Sequence, residues 1–278
     1  MIAFGKHALL AAGWYGAQLR HDRFPGVLVL CYHGVRSGAW RGDEPAHAQL
    51  HIDADNFDAH CELIASACHP ISLDDWRRAA GGGTPLPDRP VLMTFDDGYR
   101  SVFDLARPIL KRHRIPATVF VCSEPVRAQR LFWFDAEARR TTCRLVDAGD
   151  PLAPMTIDQV RQLTAEGFDV GVHTANHVKL GAEPGDVQHQ EIAECRERLR
   201  QWTGVTPSAI AYPFGKPVDD YTSESVRMAR ELGFEFGFTT RAGFARATEP
   251  PLERSRFLVL SAVSAAELAH RIAYTWPR

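Results

Sequence analysis

Two adjacent carboxylates and a spaced pair of histidines are the residues whose types and spacing could do chemistry. Asp96 and Asp97 close the run VLMTFDDG at 91–98. Acids side by side repel, so a fold that buries such a pair sets a cation between or beside them. His173 and His177 stand in VGVHTANHVKL, and an i, i+4 pair on one face of a helical turn is the spacing at which two imidazoles bind one metal. Two neutral imidazoles and one carboxylate leave positions open on a divalent ion, which is the pattern of a catalytic site. Asp-Asp-Gly alone is ordinary turn and cap chemistry. Asp74-Asp75 and Asp219-Asp220, each ahead of a helical stretch, are read as caps or first-turn charges.

The elements around these residues set Asp96-Asp97 apart from those two pairs. Val91-Leu92-Met93 reads as a buried strand of a parallel sheet, and the amphipathic segment 99–114 follows it. Gly98 lets the backbone bend, so both acids can face one cavity. FDVGVH likewise delivers His173 at a strand end. Polar groups at the C-terminal ends of parallel strands share the active face of an α/β fold.

The remaining chain keeps that alternation. VLVLCYH (27–33) is an apolar strand ending in His33, 36–50 is a polar loop, and a helix begins at Asp55-Asn56. Residues 70–73 read as a short strand and GGGTPLPDRP as a linker. ATVFVC is another apolar strand, and the less periodic 123–155 holds the aromatic cluster LFWFD. Helices at 156–166, 186–203, 221–232 and 264–274 alternate with strands in AIAYPFG, FEFGF and RFLVL. About seven parallel strands joined by helices predict an α/β fold, a distorted or incomplete (β/α) barrel.

With 278 residues, 45% hydrophobic and 24% charged, the chain has enough apolar material for one large domain. A net charge of -2 gives no electrostatic basis for binding nucleic acid. Six cysteines, at 31, 61, 68, 122, 143 and 195, include no C-x-x-C pair, which favours a reducing, cytoplasmic setting over a disulfide scaffold, with a periplasmic or membrane-associated setting as the alternative. The first 18 residues carry Lys6 and the apolar HALLAAGWYGA, too short to span a bilayer and without a good cleavage site. We expect an N-terminal leader helix in 1–24, packed or in peripheral contact with a membrane, and a catalytic domain in 25–278.

Three stretches in order, TFDDG (94–98), H-T-x-x-H (173–177) and AYPFG (211–215), resemble the polysaccharide deacetylases with a NodB-homology domain, carbohydrate esterase family four. The resemblance runs from about residue 27 to 260. CYHGV (31–35) is similar to the Y-H-x-V signature of the circularly permuted branch that acts on exopolysaccharides such as poly-N-acetylglucosamine. The resemblance implies hydrolysis of an N-acetyl, less often O-acetyl, group on a poly- or oligosaccharide. It also implies a divalent metal, zinc first, with cobalt, manganese and nickel as alternatives. By position Asp97, His173 and His177 become the ligands, Asp96 the general base, and His33 the general acid in that branch. The Phe214 backbone N–H, beside Pro213, becomes the oxyanion donor, and Trp133 could stack on a sugar ring.

Two features depart from the family pattern. Ala211 stands where many members have an arginine, so the cation beside the base must come from elsewhere; Arg256 or Arg254 in LERSRFLV is the candidate. Leu268-Ala269-His270 imitates the late leucine-x-histidine that supplies the acid in many members, but lies in a helical pattern. Two rival readings remain at this point: a related amidohydrolase acting on a small cyclic amide, and an inactive carbohydrate-binding module.

Overall fold

The computed structural model describes residues 2–38, 47–138 and 150–276. Much of the polar loop at 36–50, and Cys143, fall outside those residues. The chain opens with two helices rather than one, α1 (Ile2–Ala11) and α2 (Trp14–Arg20), broken where Gly13 takes a left-handed φ of 71°. Tyr15 and Leu19 of α2 are wholly buried. No helix among the described residues is long and apolar enough to cross a membrane.

Strand β1 (Leu28–Tyr32) is followed by β2 (Gly34–Arg36), which pairs with β3 (His51–Asp53) as a separate two-stranded parallel unit. Helix α3 (Ala54–Ala67) is capped by the Asp53 carboxylate. The strand expected at 70–73 is β4 (His69–Pro70) instead, because the Ser72 hydroxyl and Asp75 carboxylate form a capping box that starts α4 (Leu73–Ala80). Then come β5 (Pro90–Phe95), α5 (Arg107–His113) reached through a wide π-type turn at Val102–Ala106, β6 (Ala117–Val121), and the short helices α6 (Ser123–Ala128) and α7 (Trp133–Ala138). Alternation resumes with α8 (Ile157–Ala165), β7 (Asp169–Val172), α9 (Gly185–Thr203), β8 (Ala209–Ala211), α10 (Ser223–Glu231), β9 (Phe236–Phe238), β10 (Phe257–Leu258) and α11 (Ala265–His270).

The main sheet is parallel, in the order β10-β1-β5-β6-β7-β8-β9, with β4 beside the start of β5. Its two ends approach through Phe238 and Arg254: the Arg254 N–H donates to the Gly237 carbonyl at 2.7 Å, and the Thr239 N–H to the Arg254 carbonyl at 2.9 Å. The sheet is therefore a curled, incompletely closed barrel.

Strand alternation sorts two sets of buried side chains. Val29, Leu92, Phe120, Ala209, Ala211, Phe236 and Phe238 form the smaller cluster inside the curl, while Leu28, Leu30, Val91, Met93, Val119 and Ile210 pack outward under the helices. A Cβ on Gly171 would stand 2.4 Å from the Phe120 ring, so glycine there lets that ring fill the interior. Register aligns the strand ends: Tyr32 opposes Phe95, Val121 opposes Val172, and Ala211 opposes Phe238. His33 and Asp96 thus emerge level with each other, and His173, two residues further along in register, opens on the same face.

Candidate active site

At the end of β5 the Asp96 N–H donates to the Tyr32 carbonyl at 2.9 Å, which keeps Asp96 in the sheet and, by alternation with Leu92 and Thr94, turned inward. Asp97 then takes a left-handed φ of 73° and Gly98 one of 95°. The strand would send Asp97 to the opposite side; the reversed backbone returns it to the same cavity. Left-handed backbone is unfavourable for a side chain with a Cβ and is kept only where the surroundings over-determine it.

His173 and His177 converge by a different route from the one their spacing predicts. Residues 173–177 form a bent loop, not a helical turn, with Thr174 at φ 62° and His177 at φ 57°. Their rings stand 4.9 Å apart, and the two Nε2 atoms lie 3.4 and 3.3 Å from Asp97 Oδ1. Ligand bonds of 2.0–2.1 Å at the tetrahedral angle separate ligand atoms by about 3.3 Å. His173 Nδ1 is 2.7 Å from the Ala211 carbonyl; a carbonyl only accepts, so Nδ1 carries the hydrogen and Nε2 presents its lone pair. Asp97 Oδ1 is buried without a hydrogen bond from any of the described residues. The orphaned oxygen, the fixed tautomer and the spacing all fit a divalent ion of the zinc type.

Asp96 is held from the other side. Arg256 Nη1 donates to Oδ1 at 2.7 Å and Nη2 to Oδ2 at 2.8 Å, a planar two-point contact. The Arg256 Nε–H donates to the Thr239 carbonyl at 2.9 Å, and the guanidinium lies over the Phe120 and Phe238 rings. Burial by itself would raise the Asp96 carboxyl, but Arg256 and the neighbouring imidazoles outweigh it and hold the group down at about 2. Burial lifts the Cys31 thiol well above its ordinary range, so it stays protonated and donates to Asp96 Oδ2 at 3.3 Å. Arg254 does not reach the site; it stacks on Trp76 and donates to the Arg246 and Glu249 carbonyls.

These groups floor a cavity of about 520 Å³ whose wall includes His33, Trp133, Phe134, Phe214, Thr240 and Leu258. His33 Nδ1 is buried and has no hydrogen-bond partner among the described residues. Burial draws the His33 imidazole below its ordinary value, with Asp97 and Asp96 opposing. Trp133 opens α7, and its indole N–H donates to the His177 carbonyl at 3.2 Å. Phe214 takes φ 60°, its carbonyl accepts from the Thr240 hydroxyl at 2.7 Å, and its ring meets the edge of His177. Pro213 is buried behind the wall and does not line the cavity. His270 is far from this face, bonded through Nδ1 to the Tyr15 hydroxyl.

Two pairs of acids lie outside the site. Asp74 and Asp75 occupy the first turn of α4. Asp219 and Asp220 do not cap α10, whose cap is Thr222; Asp220 accepts from the Lys216 N–H and pairs with Lys179.

Residues 83–237 match the family model for polysaccharide deacetylases. The chain belongs to the polysaccharide deacetylase family. Similar sequences include YxkH of Bacillus subtilis (strain 168), 22% identical over 218 residues, covering 78% of this chain and 65% of that one. The poly-beta-1,6-N-acetyl-D-glucosamine N-deacetylase of Escherichia coli (strain K12) is 27% identical over 242 residues. That match covers 76% of this chain and 34% of the Escherichia coli protein, so the chain spans about two thirds and one third of these relatives. Among solved structures, the deacetylase PplD of Streptococcus pyogenes in complex with acetate shares the fold with a TM-score of 0.70 at 23% identity, covering 87% of this chain and 96% of that one. IcaB of Ammonifex degensii does so with a TM-score of 0.67 at 24% identity, covering 89% and 97%.

In this member of the polysaccharide deacetylase family, Cys31 stands in the sequence only as one of six scattered cysteines, although alternation along VLVLCYH puts it on the inward face with Val29. Nothing in the sequence singled out the Ala211 carbonyl that fixes the His173 tautomer.

Proposed function

We propose that the chain is a metal-dependent hydrolase that removes N-acetyl groups from a polymer or oligomer of N-acetylglucosamine. The observation that carries this reading is the pairing of two unlike aspartates: Asp97 faces two imidazoles at ligand spacing, and Asp96, 3% exposed, is fixed by Arg256 beside it. The named activity of the Escherichia coli relative supports the choice of sugar.

Asp97, His173 and His177 would hold the ion. The chemistry supplied by a bound divalent ion would be polarisation of the acetyl carbonyl and acidification of a water. Asp96 is the general base, placed to accept the proton of the attacking water. Arg256 keeps Asp96 ionised and oriented, and in doing so weakens it as a base. The Phe214 N–H is the second donor to the developing oxyanion. His33 protonates the departing amine, and Trp133 presents an exposed ring on which a sugar face can stack.

Acetate release tests the reading. It should be seen with poly-β-1,6-N-acetylglucosamine or its oligomers, vanish with a chelator and return with zinc or cobalt. Release unaffected by chelation, or turnover confined to a small cyclic amide, would replace it.

A further inference from the structure

Helix α9 reaches the loop that carries both imidazoles through one residue. Glu191 accepts the Asn176 backbone N–H on Oε2 at 2.8 Å and the Asn176 side-chain Nδ2 on Oε1 at 2.7 Å. Its own carbonyl accepts the Ala175 N–H at 3.0 Å. Three hydrogen bonds from one residue thus seize the two positions midway between His173 and His177. The positions flanking them, Thr174 and His177, are both left-handed at φ 62° and 57°. A loop with two such residues relaxes unless something outside it fixes its shape. Other ties are the Glu124 N–H on the Ala175 carbonyl, the Trp133 indole on the His177 carbonyl, the Cys122 thiol on the His173 carbonyl, and His173 itself on the Val121 and Ala211 carbonyls, which hold the ends of the loop more than its middle. Glu191 is buried in the middle of α9, so its carboxylate is anchored by a helix and cannot follow the loop if the loop moves.

We infer that Glu191 is a positioning residue for the metal site: its carboxylate clamp on Asn176 sets the His173–His177 separation. The inference rests on the metal reading above. It also explains how an i, i+4 pair converges without a helical turn.

Asn176 is exposed, so its substitution leaves the core intact and the clamp can be tested from that side. Asn176→Asp sets a carboxylate against Glu191 and should open the clamp. Glu191→Gln alone should be mild, because the Asn176 amide can turn to pair with it. The double variant Asn176→Asp/Glu191→Gln rebuilds both side-chain hydrogen bonds. Its glutamine amide donates to the new carboxylate on the loop, which reverses the original donor–acceptor order.

The readout is the zinc dissociation constant of the folded, chelator-stripped protein, measured by competition with a chromophoric chelator. Asn176→Asp should weaken zinc binding by about tenfold or more, the scale of lost outer-sphere support, and the double variant should return to within about threefold of wild type. The direction is diagnostic. An added negative charge near a dication would by itself tighten binding. Asn176→Asp binding zinc as tightly as wild type, or a double variant no better than Asn176→Asp, overturns the inference. A wild-type chain that binds no zinc removes the metal reading itself, and the inference with it.

Discussion

Arg256 and Asp96 meet through two near-parallel hydrogen bonds of 2.7 and 2.8 Å in a place closed to solvent, with Arg256 at 0% exposure. Arg256 lies 160 residues along the chain from Asp96, and the barrel brings them together because β10 and β5 flank β1. Ala211 offers no cation, so this pair supplies the charge that lets Asp96 stay ionised while buried.

Removing the cation should therefore be costly. Arg256→Met leaves an unpaired buried carboxylate, and we expect a loss of about 3–5 kcal/mol in urea unfolding under chelator. Asp96→Asn/Arg256→Met should recover much of it. A loss below about 1 kcal/mol for the single variant would mean the pair is not closed to water as described.

His60 should make stability depend on pH. Its Nδ1 is 3.1 Å from the Tyr32 hydroxyl and its Nε2 is 2.9 Å from the Val263 carbonyl, which only accepts, so the ring is neutral with hydrogen on Nε2. Burial pulls this imidazole down to about 4, against the hydrogen bonds to the Val263 and Ser264 backbone. Between 6.5 and about 4 the unfolded chain binds a proton that the folded chain refuses. The contribution is thus complete above 6.5 and falls with pH until about 4, by on the order of 3 kcal/mol. Urea midpoints across pH 4–7, compared with His60→Gln, give the readout. Parallel curves for the two proteins would remove His60 as the source.

His33 should show its role through the leaving group. At equal metal content His33→Ala should lose about 10²–10⁴-fold on an N-acetylated amine but far less on an activated aryl acetate, whose leaving group needs no proton. His270→Ala, tied to Tyr15, should match wild type on both. Equal losses on both substrates for His33→Ala would assign it another task.

How much of this was legible beforehand differs by residue. Strand ends were readable because continuous apolar runs stop abruptly at polar groups, and the parallel sheet then brings His33, Asp96 and His173 to one face. The His173–His177 loop was misread: the same spacing serves a helical turn, and only the left-handed Thr174 and His177 show otherwise. Arg256 and Arg254 could not be separated, because both precede one strand with alternate spacing. The structure separates them by what each guanidinium meets, Asp96 or Trp76. Glu191 carried no signal, since a glutamate inside a charged helix is ordinarily a solvated one.

The central claim is that the two neighbouring aspartates have different tasks, Asp97 holding the ion and Asp96 moving the proton. The most direct measurement is zinc content and acetate release in the same preparations of Asp96→Asn and Asp97→Asn. Asp96→Asn should retain one zinc per chain and lose about 10²–10⁴-fold in turnover, whereas Asp97→Asn should lose the zinc. An active Asp96→Asn, or one inactive only because its zinc is gone, would contradict the account.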